Sequence, residues 1–552
     1  MALLPRKGSL PASPLLRSFA GSRVWHLASL IALSAGYESL FIRSQLNLRD
    51  EGWPLYAAMQ LHAGGTLYDD VLWVFPPGHV LPAWLGAWLD PPGIEFTRVV
   101  YAVFSVLLVA GIYLLGRRLM PPSFALLGGL LVAVAAPRTH MMHAVYGYRY
   151  LIFCVLALLA FDRRLRSGDP RWMLAAGVAT GLGFFFRYDP ASALVVALTI
   201  GVIASSRSPR VWLRDARWYA AGGLLVALPV LAWFGTSVGL GRFFYEAAIH
   251  PLEMLQALPV PELELPRQAT RGALVSFFVG FEFRLYAFLY AVYALWLARR
   301  LLRAARERRS FEDPLLLATV TWGAIYFVRS FGRADEPHLD SAIPPVCLLL
   351  AYSAHLAYLR WPRRAAETAL VVGGFVLWIY LLGVDMVFDA DPWTAKAGPT
   401  LEVTWSQRKR IEKIHEWSKP GERILDLTAF PLLHAASGRL GPGYRDVVMP
   451  GTFVSGGDEA RFVERLEASP PALVLWPLSI FDGMPERSLR RTAPRVVKWV
   501  LGRYELRAFD DETAFLLPIR PGETPAVEDL TGEGRTLAGP RRSEGEPARR
   551  RR

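Results

Sequence analysis

The sequence predicts a polytopic α-helical membrane protein of about eleven spanning helices, followed by an extracytoplasmic α/β domain. Three observations predict it. Of the 552 residues 53% are hydrophobic and only 20% charged, and the apolar residues come in blocks between residues 24 and 386. Each block is roughly 16–24 residues long, enough for ~30 Å of hydrocarbon. The arginines fall between the blocks, at every second connection. Beyond residue 386 the composition becomes that of a mixed, foldable chain, and from 521 to 552 it is rich in Gly, Pro, Glu and Arg without apolar periodicity, a disordered basic tail.

The blocks are 24–42, 98–116, 121–137, 147–161, 172–187, 190–206, 218–236, 273–298, 314–330, 341–359 and 366–386. The first carries Glu38 and has no small-residue cleavage pattern, so it is kept as a span rather than a signal peptide. Residues 1–23 then form a cytoplasmic N-terminus and 24–386 the transmembrane domain. Arg6, Lys7, Arg17 and Arg23 precede the first span, and Arg117–Arg118, Arg163–Arg171, Arg207–Arg217, Arg299–Arg309 and Arg360–Arg364 mark alternate connections. Short cytoplasmic loops retain Lys and Arg, so this set is cytoplasmic and the other set, led by a large first outer loop at 43–97, is outside. Residues 71–89 are apolar but contain Pro76, Pro77 and Pro82. Reading them as a span would invert every later loop, so they are expected to lie at the interface or re-enter it. The net charge of +13 does not imply nucleic acid, because the arginines form no single patch. Cys154 and Cys347, both inside expected spans, offer neither a disulfide framework nor a CxxC metal site.

The polar chemistry gathers on the outer face. The first outer loop opens with Asp50 and Glu51, continues through Tyr56 to Asp69 and Asp70, and reaches FPPGH at 75–79. Tyr148 and Arg149 stand at the mouth of the fourth span, Arg187 and Asp189 in the turn FFFRYDP, and Arg329, Arg333, Asp335, Glu336, His338 and Asp340 after the ninth. Each has an ordinary reading. An Asp–Glu pair after a span is often a helix cap, Arg187 can snorkel, an Arg333–Asp335 surface pair is worth little, and Glu282 and Arg284 can pair with each other. Their coincidence at one depth on one side is what argues for a site. Arginine forks bind phosphate oxygens bidentately, and a neighbouring carboxylate can take a proton from an attacking hydroxyl.

The stretch RDEGWPLYAAMQLHAGGTLYDDVLWVFPPGH resembles the first outer loop of GT-C glycosyltransferases of the family-39 type, a group that includes protein mannosyltransferases, the lipid A aminoarabinose transferase and core galacturonosyltransferases. The matching elements are the Asp–Glu pair after span one, Tyr56, the Gly-x-x-x-Tyr-x-Asp run from Gly64 to Asp70, and Pro-Pro-Gly. FFFRYDP and GRADEPHLDSAIPP resemble later outer-loop motifs of bacterial members, and KPGERILDL with PALVLWP resembles the external domain that some members append. The resemblance implies a GT-C-like fold in a bacterial inner membrane, with its site and C-terminal domain on the periplasmic side. It implies transfer of a sugar from a polyprenyl-phosphate donor to an extracytoplasmic acceptor (lipid, glycan or protein) with inversion. Asp50 is then the general base, with Glu51 orienting it or the substrate. An ordinary Asp, with a reference pKa of about 3.9, is already ionised at neutral pH. Arg187, Arg333 and Arg149 are the expected holders of the donor phosphate. Tyr56, Asp69, Asp70, Tyr148, Asp189, Asp335 and His338 are expected at the substrate. The carboxylates among them also have the oxygen donors that suit Mg²⁺ or Mn²⁺, although many relatives are thought to need no metal and none is assigned.

In the domain expected at 387–520, residues 401–418 have helical spacing, ERILDL and ALVLWP read as buried strands, and YELRAFDDETAFLLP alternates around an Asp-Asp turn as a hairpin. It contains no nucleophile motif and no glycine-rich phosphate loop, so acceptor access or partner contact is its expected role. Two other functions share parts of this pattern. A transporter or flippase of a lipid-linked sugar predicts polar groups through the bilayer midplane and repeat symmetry, and neither is evident. A non-enzymatic scaffold leaves the charged outer loops without a purpose.

Overall fold

The computed structural model describes residues 23–40, 42, 47–89, 93–135, 147–257, 273–332, 339, 342–362, 405–481 and 484–520, with the side chains of some residues at helix ends, Tyr148 and Glu282 among them, outside the description. Two compact units form. One takes Met1–Leu252, Pro259–Ile411 and Pro431–Ala436, the other Glu253–Leu258, Glu412–Phe430 and Ser437–Arg552. The second unit thus begins at Glu412, takes Glu253–Leu258 from earlier in the chain and leaves Pro431–Ala436 to the first.

The first unit is helical. Its helices are α1 (Arg23–Ser39), α2 (Gly52–His62), α3 (Leu81–Leu89), α4 (Ile94–Leu119), α5 (Pro122–Ala135), α6 (Leu151–Ser167), α7 (Arg171–Phe186), α8 (Tyr188–Ser205), α9 (Pro209–Ser237) and α10 (Leu240–Phe244). A π-helical turn at Tyr245–Ile249 leads into α11 (His250–Ala257), and α12 (Ala273–Arg306), α13 (Pro314–Gly332) and α14 (Ile343–Arg360) follow. Ten of these coincide with the first ten expected spans; the eleventh, 366–386, lies outside the described residues. By length and composition five are long and apolar enough to cross a membrane: Ile94–Leu119, Tyr188–Ser205, Pro209–Ser237, Phe283–Arg306 and Pro314–Phe331. The segment 71–89 resolves into a short 3₁₀ turn at Pro77–His79 and the nine-residue α3. A helix of nine residues rises only about 14 Å, too little to cross ~30 Å of hydrocarbon.

Local chemistry sets the helix ends. Helix α4 has Glu95 in its first turn and Arg117 and Arg118 in its last, both complementing the helix dipole. Helix α6 ends on Gly168, whose left-handed φ of 70° closes the turn with a hydrogen bond from its N–H to the Arg164 carbonyl, 3.0 Å long. At the arginine-rich connections ion pairs tie helix to helix: Arg164 to Asp215 at 2.9 Å and Arg118 to Asp162 at 3.4 Å. Helices α7 and α9 cross with their backbones in contact. A Cβ at Gly177 would stand 2.0 Å from the Tyr219 carbonyl oxygen, and one at Gly222 2.1 Å from that of Leu174. This is the small-residue packing by which helices associate in lipid. The apolar interior is filled by Leu108, Ile112, Leu158, Leu194 and Leu348.

The second unit holds a four-stranded mixed sheet, β1 (Ile424–Asp426), β2 (Leu473–Pro477), β3 (Tyr504–Phe509) and β4 (Thr513–Pro518), in the order β1-β2-β4-β3. β1 and β2 are parallel; β4 runs antiparallel to both of its neighbours. Strands form at ERILDL and ALVLWP, whose residues are almost wholly buried, as a strand covered on both faces requires. The Asp510 carboxylate accepts the Glu512 and Thr513 amides and so shapes the β3–β4 turn. Helix α15 (Trp405–Trp417) spans the residues with helical spacing and crosses the division after Ile411; α16 (Leu432–Ser437) belongs, but for Ser437, to the first unit, and α17 (Gly456–Ala468), α18 (Leu489–Thr492) and α19 (Pro494–Leu501) complete the order of the second. Phe462, Leu466, Val496 and Val500 from α17 and α19 pack with Val474, Trp476 and Leu516 of the sheet.

Candidate functional site

The chain reaches Asp50 and Glu51 through a turn built by Asn47. Its side-chain carbonyl accepts the amides of Arg49 and Asp50 at 3.1 and 2.9 Å. This is the local hydrogen bonding by which Asn fixes turns. Its amide nitrogen reaches Asp50 Oδ2 at 3.3 Å. Asp50 remains partly exposed. Glu51, one residue on, is 1% exposed and is gripped by Arg98 of α4, itself 1% exposed. Arg98 Nε and Nη2 donate to the two carboxylate oxygens at 2.5 and 2.8 Å, and Nη1 donates to the Ile42 carbonyl at 2.9 Å. The buried carboxylate is therefore held by a bidentate fork, and Asp50 is the more accessible acid of the pair.

A second cluster forms where α7 breaks into α8. Arg187 adopts an extended φ of −158°, which ends α7 and sets Asp189 in the first turn of α8. Arg187 Nε donates to Asp189 Oδ1 at 2.6 Å, and Arg329 of α13 approaches Asp189 Oδ2 at 2.9 Å while donating to the Tyr326 hydroxyl at 3.1 Å. The Arg187 guanidinium also lies 5.3 Å from the centre of the Phe75 ring. It meets Phe75 because FPPGH packs against the end of α7: a Cβ at Gly78 would fall 2.4 Å from the Phe185 ring and 2.7 Å from its carbonyl oxygen. Only glycine lets the loop approach so closely.

Between the two lies a third group. Arg149 donates to Ser105 Oγ at 2.9 Å, faces Glu38 at 3.9 Å and sits 5.6 Å from the centre of the Tyr101 ring. Tyr101 is within electrostatic reach of Glu51 and Arg149, and Tyr150 of Arg149 and Arg187. The two rings meet edge to face at 6.2 Å. Asp50–Glu51, Arg149 and Arg187, distant in sequence, thus belong to one connected polar region of the first unit.

Residues 76–233 match the family model described as dolichyl-phosphate-mannose-protein mannosyltransferase. ArnT from Cupriavidus metallidurans in the apo state aligns at 15% identity with a TM-score of 0.52, over 89% of this chain and 97% of that one. The same protein bound to undecaprenyl phosphate aligns at 16% with a TM-score of 0.51, over 92% and 98%. The chain shares the fold of these two structures. An Archaeoglobus fulgidus oligosaccharyltransferase tethered to an acceptor peptide aligns at 14%, with a TM-score of 0.49, over 91% of this chain and 75% of that one. No curated protein matches the chain by sequence.

Within this fold the other expected site residues fall in different places. Tyr56 is fully buried and stacks on His434, with ring centres 4.2 Å apart, so it serves packing. Asp69 pairs with Arg242, and Asp70 accepts the Thr66 amide at 3.1 Å, holding the turn that precedes Tyr68. Tyr68 has a left-handed φ of 68° and donates to the Phe75 carbonyl at 2.6 Å; burial pushes its phenol well above the ordinary range. Arg333, Asp335, Glu336, His338 and Asp340, and the Tyr148 side chain, lie outside the described residues. Among the described residues no group of three or more His, Cys, Asp or Glu is placed to hold a metal ion. Asp69 and Asp189 pair with arginines, Arg242 and Arg187. Sequence reading did not single out Arg98. Its signal was an arginine at the outer mouth of an apolar run, where an ionisable group leans functional. Arg329 was visible in the outer motif but not distinguished from its neighbours.

Proposed function

We propose that this chain is an inverting glycosyltransferase of the inner membrane, moving a sugar from a polyprenyl-phosphate donor to an acceptor on the periplasmic side. The observation that carries the reading is the pairing of a partly exposed carboxylate with a separate two-arginine cluster. Asp50 is partly exposed beside Glu51, which Arg98 holds, whereas Arg187 and Arg329 meet at Asp189. A negative group to take a proton and a positive group to receive a phosphate are what this transfer needs. The relative bound to undecaprenyl phosphate supports a lipid phosphate as the leaving group.

In this reading Asp50 accepts the proton of the acceptor hydroxyl. The hydroxyl oxygen attacks the anomeric carbon from the face opposite the phosphate and forms the new glycosidic bond. The bond from carbon to phosphate oxygen breaks, and the polyprenyl phosphate departs as an anion. Arg187 and Arg329 hold that anion, with Arg333 joining them from the following segment. Glu51 keeps its place against Arg98 and fixes the turn that aims Asp50. Arg149 lends positive potential from beneath, and Asp189 keeps the two phosphate-binding forks at a fixed spacing. Asp335, His338 and Tyr148 complete the sugar site.

The test is transfer from a synthetic polyprenyl-phosphate sugar by the purified protein. Asp50→Asn is expected to lower kcat about 10²–10⁴-fold with donor binding retained. Undiminished turnover in this variant removes Asp50 as the base.

A further inference from the structure

We propose that the segment Pro431–Ala436 is a built-in part of the catalytic turn, with His434 acting through Tyr56 as a positioning residue for Asp50; the inference rests on the transferase reading above. Three contacts within the first unit carry it. The Leu432 amide donates to the Leu48 carbonyl at 3.0 Å, two residues before Asp50. Two residues after Asp50, Gly52 lies so close to the same segment that a Cβ there would stand 2.2 Å from the Leu432 nitrogen and 2.7 Å from its Cα. One turn further along α2, the Tyr56 ring stacks on the His434 imidazole with an interplanar angle of 16°.

Asp50 is therefore bracketed by two backbone contacts to one short segment, and the helix it precedes is anchored by the stacked rings. Tyr56, Leu432 and Leu433 are fully buried and His434 is 1% exposed, so the contact is dry and close-packed. A buttress of this kind acts on geometry. A side chain that must meet a proton within hydrogen-bond distance is sensitive to shifts of a fraction of an ångström, and a misplacement of about 1 Å can cost about 10²-fold in rate. Residues 431–436 contain no acid or base other than His434, whose ring face lies on Tyr56, and the proposal gives the segment a positioning role.

The full-length protein in nanodiscs tests this with His434→Ala, His434→Phe and Gly52→Ala. His434→Ala is expected to lower kcat for transfer from the synthetic donor about 10- to 100-fold while leaving the donor KM unchanged. Amide exchange across residues 48–56 should accelerate in the same variant. His434→Phe, which returns a flat ring to Tyr56, should recover most of the rate and the protection, and Gly52→Ala should reproduce the loss. Wild-type kcat together with unchanged exchange in His434→Ala overturns the proposal. So does a loss that His434→Phe fails to rescue, because it would make the imidazole itself the required group. Absence of turnover in the wild type would strike the transferase reading instead, and the exchange measurement would still decide whether the segment holds the turn.

Discussion

Glu51 and Arg98 are an ion pair with almost no exposure on either side. Such a pair contributes little net stability when compared with apolar residues of the same shape, but breaking it by removing one partner leaves a buried charge unpaired, at a cost of about 3–5 kcal/mol. Arg98→Met is therefore expected to lower the thermal midpoint sharply and to abolish transfer. The double variant Glu51→Leu with Arg98→Met should recover much of the stability and none of the activity, because the turn would lose its anchor on α4. A double-mutant cycle by thermal unfolding checks the coupling; additive effects would show that the pair is not a unit. Of these residues the Asp50–Glu51 pair was legible in the sequence, because two acids follow directly on an apolar run. The partner was not. Arg98 is 47 positions away at the start of an apolar helix, and no local pattern encodes which carboxylate a distant guanidinium will reach.

Helices were more legible than their contacts. Apolar run length and alternate arginine clusters gave the place of each long helix from α4 to α14, because those signals are local and the bilayer imposes them. The α7–α9 crossing was not legible: Gly177, Gly181, Gly222 and Gly223 sit in runs that read simply as apolar. In the structure Gly177 and Gly222 hold backbone against backbone, whereas a Cβ at Gly223 would meet only the Gly177 carbonyl oxygen, at 3.9 Å. Gly222→Leu should therefore force the helices apart and cost at least about 1–3 kcal/mol by overpacking, while Gly223→Ala should be tolerated. Thermal midpoints of the two variants in detergent make the comparison; equal midpoints would show that the crossing is not tight.

At the scale of the whole molecule, we propose from the arginine pattern that the connection between α6 and α7 is cytoplasmic and the loop carrying Asp50 lies outside. Single cysteines at Ala63 and Ser167, both exposed, provide the check, since Cys154 and Cys347 are buried. A membrane-impermeant maleimide applied to intact spheroplasts is expected to label Ala63→Cys and spare Ser167→Cys. Labelling of both from the same side would overturn the topology.

The linear order of the chain has a consequence during synthesis. His434 follows Gly52 by 382 residues (434 − 52). At about 5–20 residues per second, the ribosome completes the segment that braces the Asp50 turn roughly 20–80 s after the turn itself has emerged. A nascent protein inserted as far as its last long apolar helix would therefore lack that brace, and in the proposed reading premature termination before residue 436 would leave an inserted product with impaired transfer.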